Sequence, residues 1–273
     1  MGRDITVEIE RAEAVVARWR RLAEDTDGLV RLGAGVSDAA MDEWPAPVPE
    51  HIRVLARAAS WCQVGDIEPF GFLEVVNFKG YMTHLLGPQT TWWALHANGA
   101  TQTWYADIDP VSGQWGRVLC NDEEHEVGFR APDVVTCFEW LADCVDVTRA
   151  YAAGTLDRLP HGRVIEESAV QDECWMPTVQ DAFNDLVFNG GEVFVPMQRA
   201  TAPIFTPEQA ASTGDPELAR AAQEAEPDAW MIADMRDLPP FSRTPSSLYG
   251  AARVQRLFGG GIVILGTDEY ETD

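Results

Sequence analysis

The spacing of apolar positions along the chain predicts helices at either end of its first half, with strands between them. Ile5, Ile9, Ala12, Val16, Trp19 and Ala23 recur at three- and four-residue steps, the stripe of an amphipathic helix over residues 5–23. Arg11, Arg18, Arg20 and Arg21 fall mostly off that stripe. Residues 25–47, rich in Gly, Asp and Pro, read as a loop. Pro49 suits the first turn of a second helix, with Ile52, Leu55, Ala56 and Ala59 on its buried side. Residues 72–78 are dense in β-formers. Residues 91–96 lead into Asn98-Gly99, a strong hairpin signal. The return strand, 103–109, alternates Trp104, Ala106 and Ile108 against Tyr105, Asp107 and Asp109. After the turn at Pro110–Gly113 a third strand runs over 115–120, and residues 121–126 are polar. Helical period returns over 133–152 on Val134, Phe138, Leu141, Val145 and Thr148, with Gly154 placed as its stop.

The second half is less regular. Val179, Phe183, Leu186 and Val187 predict a short helix closed by Asn189-Gly190-Gly191, and residues 192–197 a strand. Thr206-Pro207-Glu208-Gln209 is a capping box with proline at the first helical position. Asp215-Pro216 opens another helix through Ala-rich sequence to Glu226. Strands are expected at 230–233 and 262–265, and the acidic tail 268–273 is expected to fray. The order predicts an α+β fold, an antiparallel meander covered by helices over residues 1–160. Residues 161–273 form a C-terminal α+β extension or second small domain.

Composition narrows the function classes. Twenty basic residues face 44 acidic ones, a formal charge of −24. Such a field repels nucleic-acid phosphates and anionic membranes and attracts basic partners. No apolar run approaches the roughly 20 residues of a membrane helix, and the N-terminus lacks a signal-peptide core. Five cysteines without a CxxC pair read as reduced thiols, so a cytoplasmic setting is expected. Cys137 and Cys144, two turns apart on one helix face, are expected in the core.

Candidate chemistry is sparse. Asp107-Ile108-Asp109 places two carboxylates on one face of a strand or at its end, where they could hold a divalent cation and a nucleotide sugar as in metal-dependent glycosyltransferases. The same residues also suit the start of a Pro-Gly turn. The histidines are scattered without ligand spacing, no GxSxG signature occurs, and Gly259-Gly260-Gly261 precedes a strand as a turn does. A non-enzymatic chain without metal or cofactor is therefore expected. The meander carries Trp92, Trp93, Trp104 and Trp115. Adjacent Trp92 and Trp93 must face opposite sides of a strand, one into the core and the other on the outer face or under another segment. With Asp107, Asp109, Glu123, Glu124 and Glu126 they outline an acidic, aromatic surface for a protein partner.

Residues 93–118 resemble the central hairpin of the SUKH superfamily, in which an aromatic-aliphatic-Asp strand is followed by a Pro/Gly turn and then Gly-x-Val. Pro49 with the helix to Ser60 resembles the family's early proline-then-helix element, and Phe138-Glu139-Trp140-Leu141 its closing helix. The resemblance covers roughly residues 45–155; residues 165–273 lie outside it. It implies a small α+β fold with no catalytic residues. Many bacterial members are immunity proteins that neutralise a cognate toxin, often a nuclease or deaminase, and fungal relatives regulate cell-wall glucan synthesis. The expectation is an immunity protein that binds a basic toxin. The alternatives are a metal-dependent transferase using Asp107 and Asp109, or a regulatory scaffold without a toxin partner.

Overall fold

Local capping chemistry sets the first helix. The Asp4 side chain accepts from the Thr6 amide, and α1 runs Ile5–Asp25, burying Ala12, Val15, Trp19 and Leu22. The computed structural model describes residues 4–72, 85–97, 102–122, 126–153, 155, 179–189, 200–244, 252–257 and 259–267. The stretch expected as a loop after α1 holds two short elements, β1 (Val30–Leu32) and α2 (Asp38–Asp42, capped by Ser37). Both are too short to show a period in sequence. Pro49 is the N-cap residue of α3 (Glu50–Ala58), one position before its first turn. Strands β2 (Trp61–Val64) and β3 (Phe70–Gly71) complete an antiparallel sheet in the order β1-β2-β3.

The meander is formed by β4 (Trp92–Ala97), β5 (Gln102–Ile108), β6 (Trp115–Asp122) and β7 (Val127–Ala131), paired antiparallel in sequence order. Asn98-Gly99 and most of residues 72–78 lie outside the described residues. β7 follows what reads as polar sequence; its alternate residues Val127, Phe129 and Ala131 are buried. Asp133 caps α4 (Val134–Ala152), accepting from the Thr136 amide at 2.7 Å. Arg18 of α1 reaches Asp143 and Asp146 of α4, each at 2.6 Å.

In the second half, α5 (Val179–Asn184) continues as a π-turn, Asp185–Asn189. Its expected Gly-Gly stop and the strand at 192–197 lie outside the described residues. β8 (Ile204–Phe205) precedes α6 (Pro207–Ser212), which has the expected Thr206–Gln209 capping box. α7 (Pro216–Glu224) is capped by Asp215. β9 (Ala229–Asp234), β10 (Ala252–Leu257) and β11 (Ile262–Thr267) join β8 in an antiparallel sheet ordered β10-β11-β9-β8.

These pieces stack in layers. One face of the meander, with Trp93, Leu95, Trp104, Ala106 and Ile108, packs on α1, α3 and α4 and on Phe70 and Phe183. Its other face, with Trp92, Ala94, Tyr105, Leu119 and Phe129, packs on Met231, Val254, Val263 and Leu265 of the C-terminal sheet. That sheet's far face, with Ile232, Ile262 and Ile264, lies under Ala210, Leu218 and Ala221 of α6 and α7. The fold is α+β, and the meander is an inner layer covered by helices on one side and by a second sheet on the other. The boundary expected at 160/161 falls outside the described residues. Residues 179–188 share the first core and β9–β11 the second.

Phe138 on α4 is 7% exposed, and its ring lies 6.0 Å from that of Phe72. Phe138→Ala is expected to cost about 3–5 kcal/mol in chemical denaturation, the range for a large aromatic deleted from a core. A loss below about 1 kcal/mol would contradict the packing of α4 on the meander.

Candidate functional site

A cleft of about 450 Å³ opens where the β5–β6 turn, residues 86–91, α7 and β10 meet. Its floor is an ion pair out of water. Asp107 of β5 and Arg256 of β10 retain 6% and 3% of their side-chain exposure, with Nε of Arg256 2.8 Å from Oδ1 of Asp107. Alternation along each strand makes the meeting possible. Asp107 follows Tyr105 onto the meander face turned to the C-terminal sheet, and Arg256 follows Val254 on the facing side of β10. The other guanidinium nitrogens donate to the carbonyls of Val254, Leu86 and Thr91 and to the Thr91 hydroxyl. Burial pushes the Asp107 carboxyl up, and the Arg256 charge pulls it back.

Asp109 stands at the mouth of the same cleft and organises the turn. Its Oδ1 accepts from the amides of Val111 and Ser112, both at 2.8 Å, and its carbonyl accepts from Gly113. These amide hydrogen bonds hold its carboxyl below the usual range. The turn needs glycine at 113, where φ is +68° and a Cβ would meet Pro47 at 3.0 Å. Asp107 and Asp109 thus share a cleft, as the DxD reading required, but Asp107 is committed to Arg256. Among the described residues no group of three His, Cys, Asp or Glu side chains is placed to hold a metal.

Three of the other expected surface residues, Trp92, Trp93 and Glu126, are buried. Trp92 and Trp93 are 1% and 2% exposed. They do face opposite ways, but each way leads into a core: Trp92 donates from Nε1 to the Gly87 carbonyl at 2.9 Å, and Trp93 stacks on Trp44 at 4.1 Å. Glu126 is 2% exposed and accepts from Arg243 at 2.7 Å. An acidic-aromatic binding face built on Trp92, Trp93, Asp107 and Glu126 is thereby corrected: Trp93 lies under the helical layer, the C-terminal sheet covers Trp92 and Asp107, and Arg243 pairs with Glu126. Glu123 and Glu124 lie outside the described residues. Asp109 alone of the expected set is described as reaching solvent. Cys137 and Cys144 lie in the core, and burial pushes the Cys137 thiol up to about 12.

Arg256 was not legible as a site residue. Its strand carries three polar positions in six, and only the alternation of Val254 and Arg256 marks an inward face. No helix among the described residues is long and apolar enough to cross a membrane. Comparison with protein-family models, with curated proteins and with solved structures gave no match to the chain.

His96 is the other buried ionisable group on the meander. A bulge between Ala94 and His96 turns it to the helix side, where it stacks on Phe70 at 4.2 Å. Nδ1 lies 3.2 Å from the Pro69 carbonyl, and Nε2 has no hydrogen-bond partner among the described residues. Burial lowers its pKa from 6.5 to about 4.

Arg256→Met is expected to cost about 3–5 kcal/mol in denaturant unfolding because it strands the Asp107 charge. Adding Asp107→Leu should recover most of that loss; a single variant no worse than the double would contradict the buried pair. Between pH 6.5 and about 4 the unfolded chain binds a proton at His96 that the native chain does not, so stability falls as pH falls through that window. His96→Phe should remove a component on the order of 2–3 kcal/mol from the decline. Identical slopes for the two proteins in parallel urea titrations would contradict a neutral buried imidazole.

Proposed function

We propose that this chain is a non-enzymatic protein-binding module, an immunity protein that binds and neutralises a basic toxin. The observation that carries the reading is how the charge is distributed. Nearly all of the 20 basic residues are arginine. Eleven of the described arginines lie within about 4 Å of a carboxylate of the same chain. Arg236 alone engages Asp215, Glu217 and Asp234. Most described arginines are thus paired within the chain, and of the described acidic residues only Glu8, Asp107, Glu126, Asp133 and Asp185 are buried, so the described surface carries an excess of acid. Long-range attraction of that kind raises the on-rate for a basic partner and weakens as salt screens it. The likeness of residues 93–118 to the SUKH hairpin supports the immunity form of the reading.

The test is capture from native extract at low salt, identification of the bound protein, and reconstitution of the pair from purified components. A stoichiometric complex with a basic protein, slower to form at high salt, and loss of that protein's toxic activity in the complex are expected. Association with a partner that has no toxic activity would replace immunity with a scaffold role. Saturable binding of manganese with a nucleotide sugar, abolished by Asp109→Ala in calorimetry, would overturn the non-enzymatic reading.

A further inference from the structure

We infer that the mouth of the cleft is the docking point for a short basic and apolar segment of the partner protein, with a guanidinium or ammonium group seated on Asp109 and an apolar side chain against Val111. This rests on the proposed binding function and locates it. Three independent features meet there. Val111 is 95% exposed, the most exposed of the large apolar side chains among the described residues. An apolar group displayed at a turn gains by being covered. The turn is already ordered by Asp109 and Gly113, so little conformational freedom is lost on binding. The cavity behind it, with Pro88 and Leu257 on its walls, is large enough to take a side chain.

The charges select the occupant. At the floor Asp107 and Arg256 neutralise one another. On the walls Arg253 pairs with Glu226 and Asp228, and Arg220 with Glu224. Asp109 is left at the mouth with a carboxylate that, among the described residues, meets only backbone amides and the neighbouring serine. A cation beside an apolar group complements it, whereas an anion would meet an unneutralised carboxylate within a chain of net charge −24. The floor arginine is an unsuitable anion ligand because it is 3% exposed, its charge is matched by Asp107, and Val254, Leu86 and Thr91 already take most of its donors.

The test titrates the isotope-labelled full chain with a peptide of alternating arginine and leucine at low salt, following backbone amide shifts and, with a fluorescent form of the peptide, affinity. Saturable shifts confined to Val111–Gly113 and residues 253–257 are expected. Asp109→Asn keeps the side-chain oxygen that accepts the turn amides while removing the charge, and it should weaken binding about five- to tenfold. Val111→Asp should weaken it about tenfold. Glu13→Gln on the exposed side of α1 should leave it unchanged. Shifts centred elsewhere, or affinity indifferent to both cleft variants, would overturn the docking point while leaving a basic partner in place. Absence of saturable binding would also overturn it, and the reconstituted complex would then decide the binding function separately.

Discussion

The meander is a sheet with no face for water. Trp93, Leu95 and Trp104 project to one side of it, and Trp92, Tyr105 and Leu119 to the other; all are buried. A sheet of this kind is stable only between two covering layers, because apolar area left on either face would lose about 25 cal/mol for each Å² exposed. Helices α1, α3 and α4 supply one cover and the C-terminal sheet the other. Everything placed at the second interface inherits that constraint. Asp107 can remain there because Arg256 meets it, and Arg256 because neighbouring carbonyls and the Thr91 hydroxyl take its other donors. Such a pair contributes little net stability, yet a slipped register would leave both charges unmatched.

The same constraint explains what the sequence disclosed and what it hid. Elements with long, regular periods were legible: α1, α4, the alternation of β5, and the capped starts of α6 and α7. β1, α2, β2 and β8 were not, since runs of two to five residues carry no period and owe their existence to partners elsewhere in the chain. The alternation of Trp104 against Tyr105 marks the two faces, and both are buried. What covers the second face cannot be read from the meander, because the covering residues lie more than a hundred positions downstream and each face by itself looks like an ordinary half-buried strand.

The candidate site followed the same logic. Tryptophan beside carboxylates is the composition of a binding face and equally that of a layered core with one ion pair in it. Burial decides between them: Trp92 and Trp93 became core, Asp107 became half of an internal pair, and Asp109 kept its access to solvent. Val111 gave no signal, since one apolar residue in a Pro-Gly turn is unremarkable until its exposure is known. Electrostatics adds a division of labour. Arg18 of α1, Arg57 of α3 and Arg236 just after β9 tie helices and strands together within the fold, and under the proposed function the surplus carboxylates act at long range.

Native-state hydrogen exchange tests the central claim most directly. If the meander and the C-terminal sheet share one core, the amides of β5 and β6 and those of β9 and β11 open together, with the same free energy and the same denaturant dependence. Arg256→Met should then lower both sets equally. Protection of β9 and β11 lost at a markedly lower free energy than that of β5 and β6, with the meander unaffected by the substitution, would contradict a meander that depends on both covers.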